Sequence, residues 1–256
     1  MARVIILSGA GISAESGIST FRDGSGLWEE YDVEVVCNYD SLEKNEELTV
    51  EFYDKRRSEL ESKEPNHAHK VIAKLKEKYG DDLAVITQNV DNLFEKAGMP
   101  HEDVIHLHGF MTELRCQNIN CNLTFDVGYK KQQDSFNGKC PTCSSKLRPN
   151  IVFFGEAAPL YDKLNQELND CEMMVIIGTS GNVINTDALV GYVEKSILNN
   201  LEPSAAIFDE LYSKVLYKPA TLAIDEIARD IKELLNDTPK DNKDSWVNNM
   251  LESEYS

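Results

Sequence analysis

The sequence predicts an α/β fold: a Rossmann-like, doubly wound parallel sheet with a smaller inserted helical and zinc-binding module. Three observations predict it. Short, nearly continuous apolar runs alternate with helical patterns, a glycine turn directly follows the first run, and four of the six cysteines stand as two close pairs. Buried parallel strands read as unbroken apolar runs because helices cover both faces of the sheet.

Residues 3–8, 83–87, 104–107, 151–154 and 173–178 are the expected strands. Residues 66–79 form an expected helix, opened by Pro65-Asn66 and closed by Gly80. Further helices are expected over 160–170, 184–197 and 220–235. Strand–helix alternation at this spacing is the mark of a doubly wound sheet. Two stretches break it. Residues 30–64 hold no strand pattern and read as a helical insert, with a helix over 43–61. Residues 112–148 hold the paired cysteines and several turn residues, and read as a metal-stapled insert. The main unit is expected to run over 1–235. A polar, acidic tail follows over 236–256, its Trp246, Val247, Met250 and Leu251 able to form a short docking helix.

The chain has 256 residues, 41% hydrophobic and 27% charged, as a globular protein requires. Lys and Arg number 26 against 44 Asp and Glu, a formal charge of −18. Such a balance repels the phosphate backbone and anionic membranes, so neither nucleic acid nor membrane is an expected partner. Basic, lysine-rich peptides are favoured. No apolar run reaches the roughly 20 residues that span a bilayer, and the first is too short for a signal peptide. A cytoplasmic protein is expected, where paired cysteines bind metal more often than they form disulfides.

Four segments carry chemistry. Gly9, Gly11 and Ala14 satisfy G-x-G-x-x-[GA] after the first strand, where backbone can approach a pyrophosphate at a helix N-terminus. The segment Thr20-Phe21-Arg22-Asp23-Gly24-Ser25-Gly26-Leu27-Trp28 follows in place of a second strand ending in an acid, so this is not a common dehydrogenase. Thr87-Gln88-Asn89-Val90-Asp91 closes a strand, where ligands of open sheets bind; helix capping by Asn89 or Asp91 would explain only one of its polar side chains. In His106-Leu107-His108-Gly109, alternation puts both histidines on one face. His106 reads as structural; His108, at the strand edge, is the better general base. Cys116 and Cys121 with Cys140 and Cys143 supply four thiolates, which suit a closed, structural Zn²⁺ site.

Taken together these segments resemble one family, the sirtuins, NAD-dependent protein-lysine deacylases. The resemblance runs through GAGISAESGISTFR, TQNVD, HLHG, the four cysteines, RPNIVFFGE, GTS and NLEP, in the family's order. It implies a cofactor loop of Gly9, Ala10, Gly11, Ile12, Ser13, Ala14, Glu15, Gly17, Ile18, Thr20, Phe21, Arg22 and Trp28. Gln88, Asn89, Val90 and Asp91 would line the nicotinamide and ribose pocket. Gly178, Thr179, Ser180, Asn200, Leu201 and Glu202 would hold the adenosine half, with Ala220 near the adenine. His108 and Asn89 would be catalytic. The segment holding Val152, Phe153, Gly155 and Glu156 would pair with an acyl-lysine peptide as an added strand. NAD would be consumed, yielding nicotinamide and 2′-O-acyl-ADP-ribose, with Zn²⁺ structural.

Tyr53 and Arg56 share one face of the expected helix. They match the Tyr-x-x-Arg pair of sirtuins that prefer succinyl- and malonyl-lysine, where arginine grips the carboxylate. The competing reading is a solvated helix face with Arg56 paired to Glu59. Plain deacetylation is expected to persist beside desuccinylation and demalonylation. The rival activity is mono-ADP-ribosyl transfer from the same NAD pocket.

Overall fold

The computed structural model describes residues 1–19 and 31–236. Thr20, Phe21, Arg22 and Trp28, and the expected docking helix of the tail, lie outside the described residues. In chain order the strands are β1 (Val4–Ser8), β2 (Leu83–Thr87), β3 (Val104–His106), β4 (Gly109–Cys116), β5 (Thr124–Asp126), β6 (Leu147–Ile151), β7 (Met173–Ile177), β8 (Lys195–Asn200) and β9 (Lys214–Tyr217). The helices are α1 (Gly11–Ala14), α2 (Val33–Val36), α3 (Tyr39–Leu42), α4 (Glu46–Leu60), α5 (His67–Tyr79), α6 (Leu93–Lys96), α7 (Tyr161–Glu167), α8 (Thr186–Val190) and α9 (Ala220–Asn236).

Six strands pair in parallel in the order β3-β2-β1-β7-β8-β9. Chain order reverses between β1 and β7, which opens a crevice at their carboxyl ends. Alternation splits β1 between two cores. Val4 and Ile6 meet Ile72 and Leu75 of α5 and Ile224, Ile227 and Ile231 of α9. Ile5 and Leu7 face the other way, with Leu164 of α7 and Val190 of α8. Both faces are covered, as the unbroken apolarity required. Asn66 caps α5 by accepting from Ala68 N at 2.9 Å, and Gly80 ends it at φ +53°.

The helical insert holds α2, α3 and α4. The second sheet is antiparallel, ordered β5-β4-β6. Arg57 joins the two, fully buried, donating to Asp54 Oδ1 at 2.5 Å, Met111 O at 2.8 Å and Lys130 O at 3.2 Å.

Three local expectations are corrected. The strand expected over 151–154 is instead β6, ending at Ile151 in the antiparallel sheet, with Phe154 bridging Asn38 beyond it. An apolar run reports burial, not which sheet buries it. The helix expected over 184–197 shrinks to α8, and residues 195–200 form β8. There Ile197 and Leu198 pair with Val175 and Ile176, so sheet packing overrides helical spacing. Strand β9 has no counterpart in the expectations. Being a short, half-buried edge, it lacks the apolar run that marks the central strands.

Candidate active site

The crevice is lined by loops leaving β1, β2, β3, β7 and β8. Gly9 and Gly178 lie so close that a Cβ on Gly9 would stand 2.8 Å from Gly178 O; one on Gly11 would stand 2.6 Å from Gly178 Cα. The glycine turn therefore brings two strand ends together before any ligand is considered. Gly9 N and Gly11 N donate to Ile177 O and Gly178 O, at 2.9 and 2.8 Å. The helix expected to follow is a single turn, α1. Ala14 and Glu15 are exposed at its end, and Glu15 accepts from Thr221 N and Oγ1 beside Ala220.

Below α1 lies a buried polar chain. Ser13 Oγ donates to Asp91 Oδ2 at 2.9 Å and receives Asn89 Nδ2 at 3.1 Å. Asn89 Nδ2 also reaches Gly9 O at 3.2 Å. Those two bonds fix the amide's orientation and leave Asn89 Oδ1 as its acceptor. Asp91 accepts Leu93 N at 3.1 Å, and burial raises its pKa against these donors. On the far side His69 Nε2 lies 3.4 Å from Ser13 Oγ and Nδ1 lies 3.1 Å from Asn66 Oδ1. His69 is fully buried, and burial pushes its pKa down to about 4. Asn66 Nδ2 reaches Ile12 O at 2.7 Å, tying α5 to the glycine turn.

The two histidines of β3's end act on neighbouring carbonyls. His106 Nδ1 lies 3.1 Å from Asn89 O, and His108 Nδ1 lies 3.0 Å from Gln88 O. A carbonyl only accepts, so His108 carries its proton on Nδ1 and keeps a lone pair on Nε2. Burial lowers its pKa, so the ring is neutral near pH 7. Tyr161 Oη stands 3.0 Å from Nε2. Tyr161 and His69 go unnoticed in the sequence, and Asn66 reads there only as a helix opener, because none belongs to a motif and only the folded chain brings them to the site.

Across the crevice Gln88 Nε2 donates to Thr179 Oγ1 at 3.1 Å, and Asn200 Nδ2 to Thr179 O at 2.9 Å. Thr179, between Gly178 and Ser180, thus meets the 88–91 loop and is braced by Asn200, while Leu201 and Glu202 lie exposed.

Tyr53 is buried, 5.6 Å from the Phe153 ring, with its hydroxyl donating to Cys37 Sγ at 3.4 Å. Arg56 is half-buried, its guanidinium 5.5 Å from the Phe52 ring, and burial lowers its pKa. Ile18 and Val90 border the same cluster, so it adjoins the Asn89 loop. In the segment 152–156, Val152 N donates to His108 O, Phe154 N to Cys37 O, and Phe153 N to Glu156 Oε2. The Glu156 carboxylate is also clamped by Arg115 and Arg148 at 2.6 and 2.5 Å. Gly155 N has no partner among the described residues.

The four cysteine sulfurs lie within 4.8 Å of one another. Cys116 and Cys143 stand 3.4 Å apart, Cys121 and Cys140 3.8 Å. A tetrahedral Zn²⁺ with bonds of about 2.3 Å separates its sulfurs by roughly 3.8 Å. The donors fit that ion. Asn118 N points at Cys116 Sγ, at 3.4 Å, a contact that favours thiolate.

A model of the Sir2 family matches residues 9–185. An NAD-dependent protein deacylase of Campylobacter jejuni (strain RM1221) is 48% identical over 93% of this chain and 99% of its own. One from Helicobacter hepaticus is 40% identical over 91% and 98%. A crystal structure of a Sir2 homolog–NAD complex superposes with TM-score 0.78 at 33% identity, covering 91% of this chain and 90% of that one. A Sir2 bound to acetylated peptide superposes with TM-score 0.71 at 30% identity, over 92% and 94%.

Proposed function

Because the chain belongs to the Sir2 family, as a sirtuin-type NAD-dependent protein deacylase, we propose that it removes succinyl and malonyl as well as acetyl groups from protein lysines. The products on this reading are free lysine, nicotinamide and 2′-O-acyl-ADP-ribose. One observation carries the acyl preference: Tyr53 and Arg56 share one face of α4, Tyr53 beside Phe153 in a cluster that reaches Val90 of the Asn89 loop, and Arg56 over the Phe52 ring of that cluster. A guanidinium can grip a carboxylate through two parallel hydrogen bonds. Tyr53 can add a third donor by exchanging its bond to Cys37.

When bound, NAD supplies a ribose carbon carrying a cationic nicotinamide as leaving group. Asn89, held by Gly9 and Ser13, offers Oδ1 to orient the ribose and the water about it. His108 takes a proton from the ribose hydroxyls at Nε2. Gln88 O fixes the tautomer this requires, and burial keeps the ring unprotonated. Tyr161 occupies that lone pair at rest and yields it to the ribose. Gly155 N, without a partner among the described residues, is a backbone donor with which an added peptide strand can pair. We take residues 1–235 as the catalytic unit.

The test compares nicotinamide release from acetyl-lysine and succinyl-lysine forms of one peptide. Dominant succinyl turnover, removed by Arg56→Met while acetyl turnover survives, is the expected result. Dominant acetyl turnover unaffected by Arg56→Met would make the protein a plain deacetylase. His108→Ala should abolish both. NAD-derived label retained on a protein acceptor, with no deacylation, would instead favour ADP-ribosyl transfer.

A further inference from the structure

His106 raises a protonation problem on the side away from the crevice. Its Nδ1–H is committed to Asn89 O, which leaves Nε2 as a bare lone pair in the neutral ring. Yet Nε2 stands 2.8 Å from Glu95 Oε1, an oxygen that only accepts when ionised. His101 Nδ1 lies 3.1 Å from that same oxygen. The other carboxylate oxygen, Glu95 Oε2, is buried with no hydrogen-bond partner among the described residues. A proton on His106 would satisfy one contact. Even with His101 Nδ1–H using the second lone pair of Oε1, Glu95 Oε2 stays bare. A cation serves all of these groups together.

We propose that Glu95, His101 Nδ1 and His106 Nε2 form a binding site for a divalent transition cation of the zinc, cobalt or nickel type. The three donor atoms lie within 4.8 Å of one another. Tetrahedral ligands on bonds of about 2.0 Å stand roughly 3.3 Å apart, so each histidine nitrogen needs to draw back from Glu95 Oε1 by no more than about half an ångström. The Phe110 ring fixes both imidazoles, with centroids 4.4 Å from His101 and 4.7 Å from His106. The Nδ1–H bond from His106 to a carbonyl is the support that metal-bound histidines ordinarily have. His106 is 4% exposed and His101 50%, so the site is anchored inside and opens to solvent at His101. Three protein ligands leave a fourth position for water. The imidazole and carboxylate donors also separate this site chemically from the all-thiolate one. A bound ion would act through His106 on the Asn89 carbonyl.

The test titrates the zinc-replete protein with Co²⁺, followed by calorimetry and visible absorption. One further equivalent should bind, with the weak bands of nitrogen and oxygen ligation and no intense thiolate charge transfer. His101→Ala, which removes a half-exposed side chain, should weaken binding by about 100-fold or more, since even outer partners of a metal ligand are worth 10- to 100-fold. Glu95→Gln should do the same. His67→Ala, which removes a histidine paired with Asp225 elsewhere on the surface, should leave the affinity unchanged. Absence of the further equivalent, thiolate bands from the bound cobalt, or binding indifferent to His101→Ala would each overturn the site.

Discussion

Single residues set the site's chemistry through protons they are kept from taking up. His69 has its pKa held down to about 4 by burial, against an ordinary value of 6.5. Between these values the unfolded chain binds the proton and the folded chain does not. Stability is therefore full above pH 6.5 and is lost as pH falls toward 4. Lowering the pH from about 7 to about 5 should cost about 2 kcal/mol from this group. Urea unfolding at the two pH values checks it: His69→Gln should lose most of the pH slope, whatever its stability at pH 7. A variant with the full slope would place the titration elsewhere. His108 is displaced in the same direction, which keeps its Nε2 available below the usual histidine range.

Among the elements, β4 bears the most on the site because it begins beside His108 and ends at Cys116. Its first residue, Gly109, has φ +96°, and a Cβ there would stand 2.0 Å from Asn150 O. Gly98 has nearly the same φ, +100°, with nothing near its missing Cβ. Gly98→Ala should therefore cost about 1–3 kcal/mol of strain alone. Gly109→Ala should cost clearly more and lower deacylase activity, as thermal unfolding and turnover of the two variants will tell. The elements also differ in how openly the sequence displays them. Strands β1, β2 and β7 are apolar at nearly every position because both faces are buried, and α5 is framed by Asn66 and Gly80. Strand β8 ends in Asn199 and Asn200, which are buried against carbonyls of Leu216, Lys218 and Thr179; its polarity hides a central strand. The cysteine pairs are legible because metal spacing is local. The link from Ser13 to His69 is not, since 56 positions separate them.

For the molecule as a whole, the zinc module and the crevice share one mechanical support. Strand β6 pairs with β4, and the chain just beyond it bonds back to His108 O through Val152 N. Removing zinc with a strong chelator should lower both the unfolding temperature and deacylase turnover, and added Zn²⁺ should restore them together. Retention of both in metal-free protein would mean the small sheet stands without its ion. The neighbouring arginines of α4 divide their duties at this same joint. Arg57 is walled in and holds the helical insert to the small sheet, whereas Arg56, one position earlier, is half-buried at the cluster proposed to take the acyl chain. On that proposal, replacements at 56 retune which acyl chain is accepted without loosening the joint that 57 secures. Substrate range is thus open to evolutionary drift in a way that the fold is not.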